Sequence, residues 1–256
     1  MGDSARPLLQ ACGIVKSFGH VRALRGADFD VNEAEVVAMI GDNGAGKSTL
    51  VKALAGVHQP DEGELRFLGE PVVLPDPTAA QRLGIETVFQ DLALAPDLDP
   101  AANLFLGREV VKPGLLGKLG FLDSNAMAER TRSAFKDLGA NVQSESASVA
   151  SMSGGQRQSI AVSRAATWAN RLVIMDEPTA ALGVVQSAAV LELIRRVRDQ
   201  GISVIIISHN MPEVLEVSDR VEVLRLGRRV ARFRSRDTSM DELVAAMTGA
   251  LVQEDA

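Results

Sequence analysis

The sequence predicts an α/β domain with a mostly parallel sheet, built around a phosphate-binding loop. Two observations support this fold class. A buried strand is predicted at Val36–Ile40, and the pattern G-x-x-x-x-G-K-S follows it directly, in residues 41–48. Elsewhere, short apolar runs of strand length alternate with segments of helical periodicity, which is typical of parallel sheets. A chain of 256 residues is long enough for one large domain of this kind with a subdomain.

The first third of the chain predicts mostly strands, with one helix that begins near Lys47. We expect the N-terminal strands to form a small antiparallel β subdomain beside the parallel sheet. The strands, in order, are Leu8–Val15, Ala27–Val31, Val36–Ile40, Glu64–Phe67 and Ile85–Phe89.

The middle of the chain predicts a helical insert. Asp91–Pro100 is rich in Asp, Pro and Leu and reads as a linker, and 101–147 is mainly helical with a loop at Pro113–Gly120. We therefore expect a helical subdomain at 92–160 and a core formed by 1–91 and 161–256. The elements predicted after the insert are a helix at Gly154–Trp168, a strand at Leu172–Met175, a helix at Ser187–Arg198, a strand at Ser203–Ile207, a hairpin of Val221–Leu226 and Arg229–Phe233, and a helix at Asp241–Met247.

Composition excludes several classes of protein. The net charge of −6 argues against a nucleic-acid-binding or polybasic membrane surface. The single cysteine, Cys12, excludes an internal disulfide. No apolar run approaches the roughly 18 residues of a membrane span, and the first residues lack the pattern of a secretory signal. We expect a cytosolic protein unless a partner holds it at a membrane.

The phosphate-binding loop predicts nucleotide binding. Its glycines let the backbone wrap a phosphate so that successive N–H groups point inward, and the following helix adds its positive end. Lys47 is expected to reach the β- and γ-phosphates, and the Ser48 hydroxyl to bind Mg²⁺. The residues predicted to hold the phosphates are Gly41, Asp42, Asn43, Gly44, Ala45, Gly46, Lys47, Ser48 and Thr49.

Polar residues follow three other predicted strands, at the edge where ligands bind in parallel sheets. Asp176 fits the carboxylate that holds Mg²⁺, and Glu177 is placed to accept a proton from an attacking water. Gln90 is a candidate to bind Mg²⁺ and orient that water, and His209 a candidate contact to the γ-phosphate. The alternatives are an acidic pair that only caps a strand and polar strand ends without a role.

A second anion-binding helix start is predicted at Ser153-Gly154-Gly155-Gln156. Ser153 and the two glycines present a hydroxyl and free backbone N–H groups together. The alternative is an ordinary helix cap that contains glycines. Two such helix starts in one chain indicate either two phosphates or two chains that share one.

Taken together and in this order, these motifs resemble the ATP-binding subunit of ABC transporters over nearly the whole chain. The resemblance implies a P-loop NTPase (RecA-like) core that binds ATP and Mg²⁺. It also implies a head-to-tail pair, in which Ser153, Gly154, Gly155 and Gln156 of one subunit close on the nucleotide held by the other. Glu177 matches the family's catalytic base and His209 its switch histidine. Phe18 matches its adenine-stacking aromatic residue, for which a phenylalanine of the core or of a turn is the alternative.

A finer resemblance is to importers of simple sugars, the ribose, fructose and xylose types. It is based on Asn103–Glu109, for which a plain amphipathic helix is the alternative, and on Ala180–Val184. It implies a membrane permease as partner, an extracytoplasmic sugar-binding protein as an indirect partner, and a peripheral position on the cytoplasmic face of the membrane. We expect Asp91–Arg108 to lie near the permease.

Two positions depart from the family pattern. Met152 stands where leucine is usual, a change that conserves volume. Gly183 stands where aspartate is usual, which removes a carboxylate expected to contact the second subunit. Other classes of nucleotide-binding protein fit the sequence less well. An ATPase that acts on DNA or ribosomes should have a basic surface, whereas the net charge is −6. A GTPase should contain N-K-x-D, which does not occur in the sequence, and a kinase has no need of Ser153–Gln156. A regulatory protein that binds ATP without hydrolysing it, and an importer of a non-sugar substrate, remain alternatives.

Overall fold

The computed structural model describes residues 7–140, 142, 144 and 146–253. Its sheets confirm the predicted α/β fold. The sequence-based prediction about a secretory signal concerns in part residues 1–6, which lie outside this range. Among the described residues, no helix combines the length and apolar character that crossing a membrane requires.

Two sheets form the framework. The strands are β1 (Leu9–Phe18), β2 (Val21–Val31), β3 (Val36–Ile40), β4 (Glu62–Phe67), β5 (Glu70–Val72), β6 (Ile85–Val88), β7 (Leu172–Asp176), β8 (Ser203–Ile207), β9 (Arg220–Arg225) and β10 (Arg228–Arg234). A six-stranded sheet has the order β10-β9-β3-β8-β7-β6, in which all neighbours are parallel except the β9–β10 hairpin. A four-stranded antiparallel sheet has the order β2-β1-β4-β5.

Nine α-helices lie in the described residues. Two 3₁₀ turns, at Val149–Ser151 and Ser235–Asp237, complete the set. The helices are α1 (Lys47–Leu54), α2 (Pro77–Arg82), α3 (Pro100–Leu104), α4 (Leu115–Lys118), α5 (Ser124–Leu138), α6 (Gly154–Trp168), α7 (Val184–Asp199), α8 (Met211–Val217) and α9 (Met240–Thr248).

Alternation along the central strands explains why both faces of the large sheet are buried. Val36, Ala38 and Ile40 of β3 pack into one apolar cluster, with residues of α6, α7, α8 and α9. Val37 and Met39 point to the other face, where α1 and the four-stranded sheet cover them. Successive side chains of a strand point to opposite faces, so a continuous apolar run is what a doubly covered strand requires.

Most predicted elements have the expected position. The bounds of β3, α6 and β8 agree with the sequence-based prediction, and β1 and β2 are longer than predicted. The segment Pro113–Gly120, predicted as a loop, contains the single-turn helix α4. A third apolar cluster, built from residues between 104 and 160, packs the helical part of the chain around Phe105 and Phe135. The domain bounds given above stay a prediction.

Candidate nucleotide-binding site

The phosphate-binding loop connects β3 to α1, and its glycines have backbone conformations that other residues rarely adopt. Gly41 has a φ of 153°, and a β-carbon there would lie 2.2 Å from the carbonyl oxygen of Leu224. Gly46 has a φ of 105°, and a β-carbon there would lie 2.9 Å from the Ala23 carbonyl oxygen. Close approach of neighbouring backbone and positive φ together explain why glycine occupies both positions.

The loop leaves its helix start open to a ligand. Gly46 is the N-cap of α1 and has no side chain, so it makes no side-chain hydrogen bond to the first backbone N–H groups of the helix. Residues 43–49 line a cleft of about 400 Å³ together with Val21, Arg22, Ala23, Arg25 and Leu226. An uncapped helix N-terminus beside arginines favours an anionic ligand.

Lys47 is the first residue of α1, and its side chain reaches back to the start of the loop. Its Nζ donates to the carbonyl oxygens of Gly41, at 2.7 Å, and Asp42, at 3.1 Å. Burial lowers the pKa of Lys47, and the nearby carboxylates of Glu177, Asp42 and Asp176 oppose this shift. The ammonium group is therefore held at the loop by backbone acceptors and surrounded by negative charge.

Two carboxylates lie at the carboxyl end of β7, close enough to influence the charge of Lys47. Burial raises the pKa of Asp176, as does the charge of Glu177, whereas Lys47 and Lys52 oppose the rise. Glu177 has a φ of 53°, a left-handed conformation that is rare outside glycine. Backbone strain of this kind clusters at active sites, which agrees with the role predicted for Glu177.

His209 lies opposite Glu177, beyond the end of β8. Its Nδ1 is 2.8 Å from Oε2 of Glu177. The histidine side chain is 72% exposed and that of Glu177 only 17%, so the imidazole covers the carboxylate from the solvent side. The structure thus brings together four predicted residues, Lys47, Asp176, Glu177 and His209. Ser48 is exposed and directly follows Lys47, in the first turn of α1.

Gln90 is not among the residues that line the phosphate-loop cleft, and neither are Asp176, Glu177 and His209. Gln90 follows β6, the edge strand, which is three strand spacings or about 14 Å from β3. There it lines a second depression with Leu92, Gly154, Arg157 and Leu182. The role of Gln90 as a magnesium ligand stays a prediction.

The Ser153–Gln156 segment begins α6 as a capping box. Ser153 Oγ accepts from the Gln156 backbone N–H at 3.3 Å, and Gln156 Oε1 accepts from the Ser153 N–H at 3.0 Å. Ser153 therefore acts as an ordinary helix cap, as the alternative expected. Ser153 and Gly154 nevertheless remain exposed to solvent. The two depressions that contain the two helix starts have no lining residue in common.

The remaining candidates have local partners. Phe18 is 46% exposed at the end of β1, and its ring makes an edge contact with His58, with centroids 5.3 Å apart. It is not among the residues that line the phosphate-loop cleft. Met152 is buried in the cluster around Phe105, as expected for a replacement of leucine. Beside Gly183, the Gln186 amide oxygen is 2.7 Å from where a β-carbon would lie, so the glutamine fills the space of the usual side chain.

Sequence reasoning missed the walls of the cleft. Gly227, in the β9–β10 turn, donates to the Ala45 carbonyl oxygen at 2.9 Å and accepts from the Arg25 N–H at 2.8 Å. The sequence indicated only a hairpin at this point. No local signal shows that a turn some 180 residues after the loop holds it against β2, because the contact arises from the parallel pairing of β3 with β9.

Comparisons with known proteins agree with this geometry. A family model described as "ABC transporter" matches residues 24–180. The chain is 51% identical to the fructose import ATP-binding protein FrcA of Rhizobium meliloti over 95% of both chains. It is 44% identical to the xylose/arabinose import ATP-binding protein XylG of Sulfolobus acidocaldarius over 94% of both. It is 41% identical to the ribose import ATP-binding protein RbsA 1 of Rubrobacter xylanophilus, covering 97% of this chain and 48% of that one.

Solved structures have the same fold. MJ1267, an ATP-binding cassette of an ABC transporter solved in its ADP conformation, has a TM-score of 0.76 and is 26% identical, covering 94% of this chain and 95% of that one. A dimeric post-hydrolysis state of the cassette MJ0796, bound to ADP and Pi, has a TM-score of 0.74. It is 22% identical, covers 90% of this chain and 100% of that one, and supports the fold alone.

Proposed function

The chain belongs to the ABC transporter family, and from that premise we propose that it is the ATP-hydrolysing subunit of an importer of simple sugars. Three relatives similar over nearly the whole of this chain are named for import of fructose, xylose or arabinose, and ribose. The sugar itself is recognised elsewhere, by the permease and an extracytoplasmic binding protein. This chain supplies the energy from the cytoplasmic face of the membrane.

The residues of the cleft and of the neighbouring strand ends suit ATP and Mg²⁺. The loop N–H groups and Lys47 bind the phosphates, and Mg²⁺ would be held by the oxygen donors that it prefers, the Ser48 hydroxyl and the Asp176 carboxylate, with Gln90 as a further candidate. When bound, the metal ion neutralises charge that develops on the phosphates. Glu177 accepts the proton of the attacking water, and His209 holds that carboxylate in position through the 2.8 Å contact.

One observation supports the functional unit most strongly: the two anion-binding helix starts lie in separate depressions. Gly154 and loop residues 43–49 thus line different depressions of one chain, as expected if each helix start meets a phosphate bound by another copy. In a head-to-tail pair, Ser153, Gly154, Gly155 and Gln156 of one copy complete the site around the loop of the other. ATP thereby joins two copies, and hydrolysis separates them.

Coupling to the permease is proposed to pass through the segment that follows Gln90. Arg164 of α6 donates to the carbonyl oxygens of Leu92, at 2.9 Å, and Ala93, at 2.8 Å. Trp168 Nε1, also on α6, donates to the Leu104 carbonyl oxygen at 2.8 Å. A shift of α6 when Ser153 meets the partner's ATP therefore moves residues 92–104, within the stretch expected to contact the permease.

The test is affinity capture of the tagged protein from gently solubilised membranes of its source. We expect a polytopic membrane protein to co-purify, and Leu106→Asp, within the expected contact, to release it. Val73→Asp is the control, because Val73 is an exposed apolar residue outside that segment. Recovery of soluble proteins alone would contradict the importer assignment and leave the ATPase chemistry in place. A captured permease that takes up a non-sugar substrate would contradict only the sugar.

A further inference from the structure

A loop in the helical part of the chain has an unusual number of exposed large apolar side chains. We call residues 110–122, between α3 and α5, the apolar loop. Its exposed apolar residues are between 44% and 73% accessible. They are Val111, Leu115, Leu116, Leu119, Phe121 and Leu122.

Backbone contacts hold the apolar loop in one conformation. Val111 and Leu122 form an antiparallel bridge, and the Lys112 N–H donates to the Phe121 carbonyl oxygen at 2.9 Å. At the tip, α4 packs so closely on the base that a β-carbon on Gly117 would lie 1.9 Å from the Lys112 carbonyl oxygen. The exposure therefore belongs to an ordered, protruding structure, in which the apolar side chains have no core to fill.

The charge of the apolar loop is opposite to that of the whole chain. Lys112 precedes its leucines, Lys118 lies between Leu116 and Leu119, and no acidic residue occurs between Glu109 and Asp123. The chain as a whole has a net charge of −6. Apolar tips with flanking lysines suit the boundary between anionic lipid headgroups and acyl chains, where the apolar side chains insert and the ammonium groups meet phosphate.

We propose that the apolar loop inserts into the headgroup region of an anionic lipid bilayer. The proposal rests partly on the proposed function, since the apolar loop directly follows the stretch expected at the permease. A lipid surface fits better than a protein partner, because Lys112 and Lys118 match anionic headgroups and no acidic residue lies within the apolar loop. Reversible lipid attachment needs only a few inserted side chains and local positive charge.

The test is co-sedimentation of the purified full chain with vesicles. We expect binding to vesicles of phosphatidylcholine mixed with phosphatidylglycerol, weaker binding to phosphatidylcholine alone, and a loss of binding as salt is raised. Lys112→Ala and Lys118→Ala should each weaken binding about fivefold. Leu115→Ser/Leu119→Ser should abolish it, with ATP hydrolysis unchanged because these residues lie outside the nucleotide cleft.

The matched control is Val73→Ser/Val252→Ser, which removes two equally exposed apolar side chains elsewhere and should leave vesicle binding intact. The proposal is overturned if the unaltered chain does not sediment with the mixed vesicles, or if the control lowers binding as much as the loop variant. It is also overturned if the loop variant only loses self-association in size-exclusion chromatography, or only loses capture of the permease. Permease capture by Leu106→Asp and Val73→Asp tests the importer assignment separately.

Discussion

Replacing Arg220 by methionine should destabilise the protein strongly, because Arg220 is the centre of a buried ionic cluster. Its Nε lies 2.8 Å from Glu35 Oε1, its Nη2 lies 3.2 Å from Asp30 Oδ2, and Nη1 also pairs with Glu222. The Arg220 side chain is 10% exposed and that of Glu222 is fully buried. These contacts tie β2, the start of β3 and β9 together at the end of β3 opposite the nucleotide loop.

The expected size follows from burial. Methionine keeps most of the stem of Arg220 but leaves the carboxylates of Glu35 and Glu222 without their main partner in a low-dielectric site. Removal of one member of a buried ion pair lowers the free energy of unfolding by about 3–5 kcal/mol. Arg229 and Arg232 also contact Glu222, which places the expected loss towards the lower end of that range.

The assay is equilibrium unfolding in urea, with Arg195→Met as the control. Arg195 also pairs with two carboxylates, Glu216 at 2.7 Å and Glu192 at 3.4 Å, but both partners are more than half exposed. We expect the control to lose about 0–1 kcal/mol. Equal losses for Arg220→Met and Arg195→Met, with unchanged m-values, would refute the reasoning that burial decides the effect.

Two further predictions concern the nucleotide site. Glu177→Gln should keep ATP binding and lower turnover about 10²–10⁴-fold, since it removes the proton acceptor but not the shape of the side chain; unchanged steady-state hydrolysis would remove Glu177 from that role. Gly46→Ala should weaken nucleotide binding and stability more than Gly44→Ala, as measured by calorimetry and urea unfolding. Both glycines have positive φ, which accounts for about 1–2 kcal/mol in each variant. Only Gly46 has backbone within 3 Å of an added β-carbon, so equal effects would contradict the steric argument.

The sequence predicted the centre of the site well because its signals are local. In β3 and the loop after it, an unbroken apolar run and fixed glycine spacing are set by neighbours in the chain. The short helices α2 and α8 were not predicted, although each has a side-chain cap, from Asp76 and Asn210, and a proline in its first turn. Six or seven residues are too few to show a helical period, so only the caps were available as signals.

Other features were beyond sequence reasoning because they depend on tertiary arrangement. Polar residues after strands were expected to surround one ligand, and the order of the strands, which the sequence does not give, sets the distances between them. β7 and β8 are neighbours, which brings Glu177 and His209 together, and β6 is the edge strand beside β7, where Gln90 lines a depression with Gly154. The place of Gln90 at the same ligand stays a prediction. Likewise, Gln186 beside Gly183 was not foreseen, since a glutamine on an exposed helix face has no sequence signal.

Two copies of the chain are proposed to share each ATP. The most direct test is the molecular mass of the Glu177→Gln protein in ATP and Mg²⁺, measured by light scattering. We expect a dimer that needs ATP, and we expect Ser153→Ala added to this variant to prevent it. Ser239→Ala is the matched control, because Ser239 and Glu242 form the same capping box at α9, away from the nucleotide. Both serine changes should lower stability by about 1 kcal/mol. Loss of the dimer with Ser153→Ala but not with Ser239→Ala supports an ATP site built from two copies. A Glu177→Gln protein that stays monomeric at saturating ATP, or equal effects of the two serine changes, would contradict it.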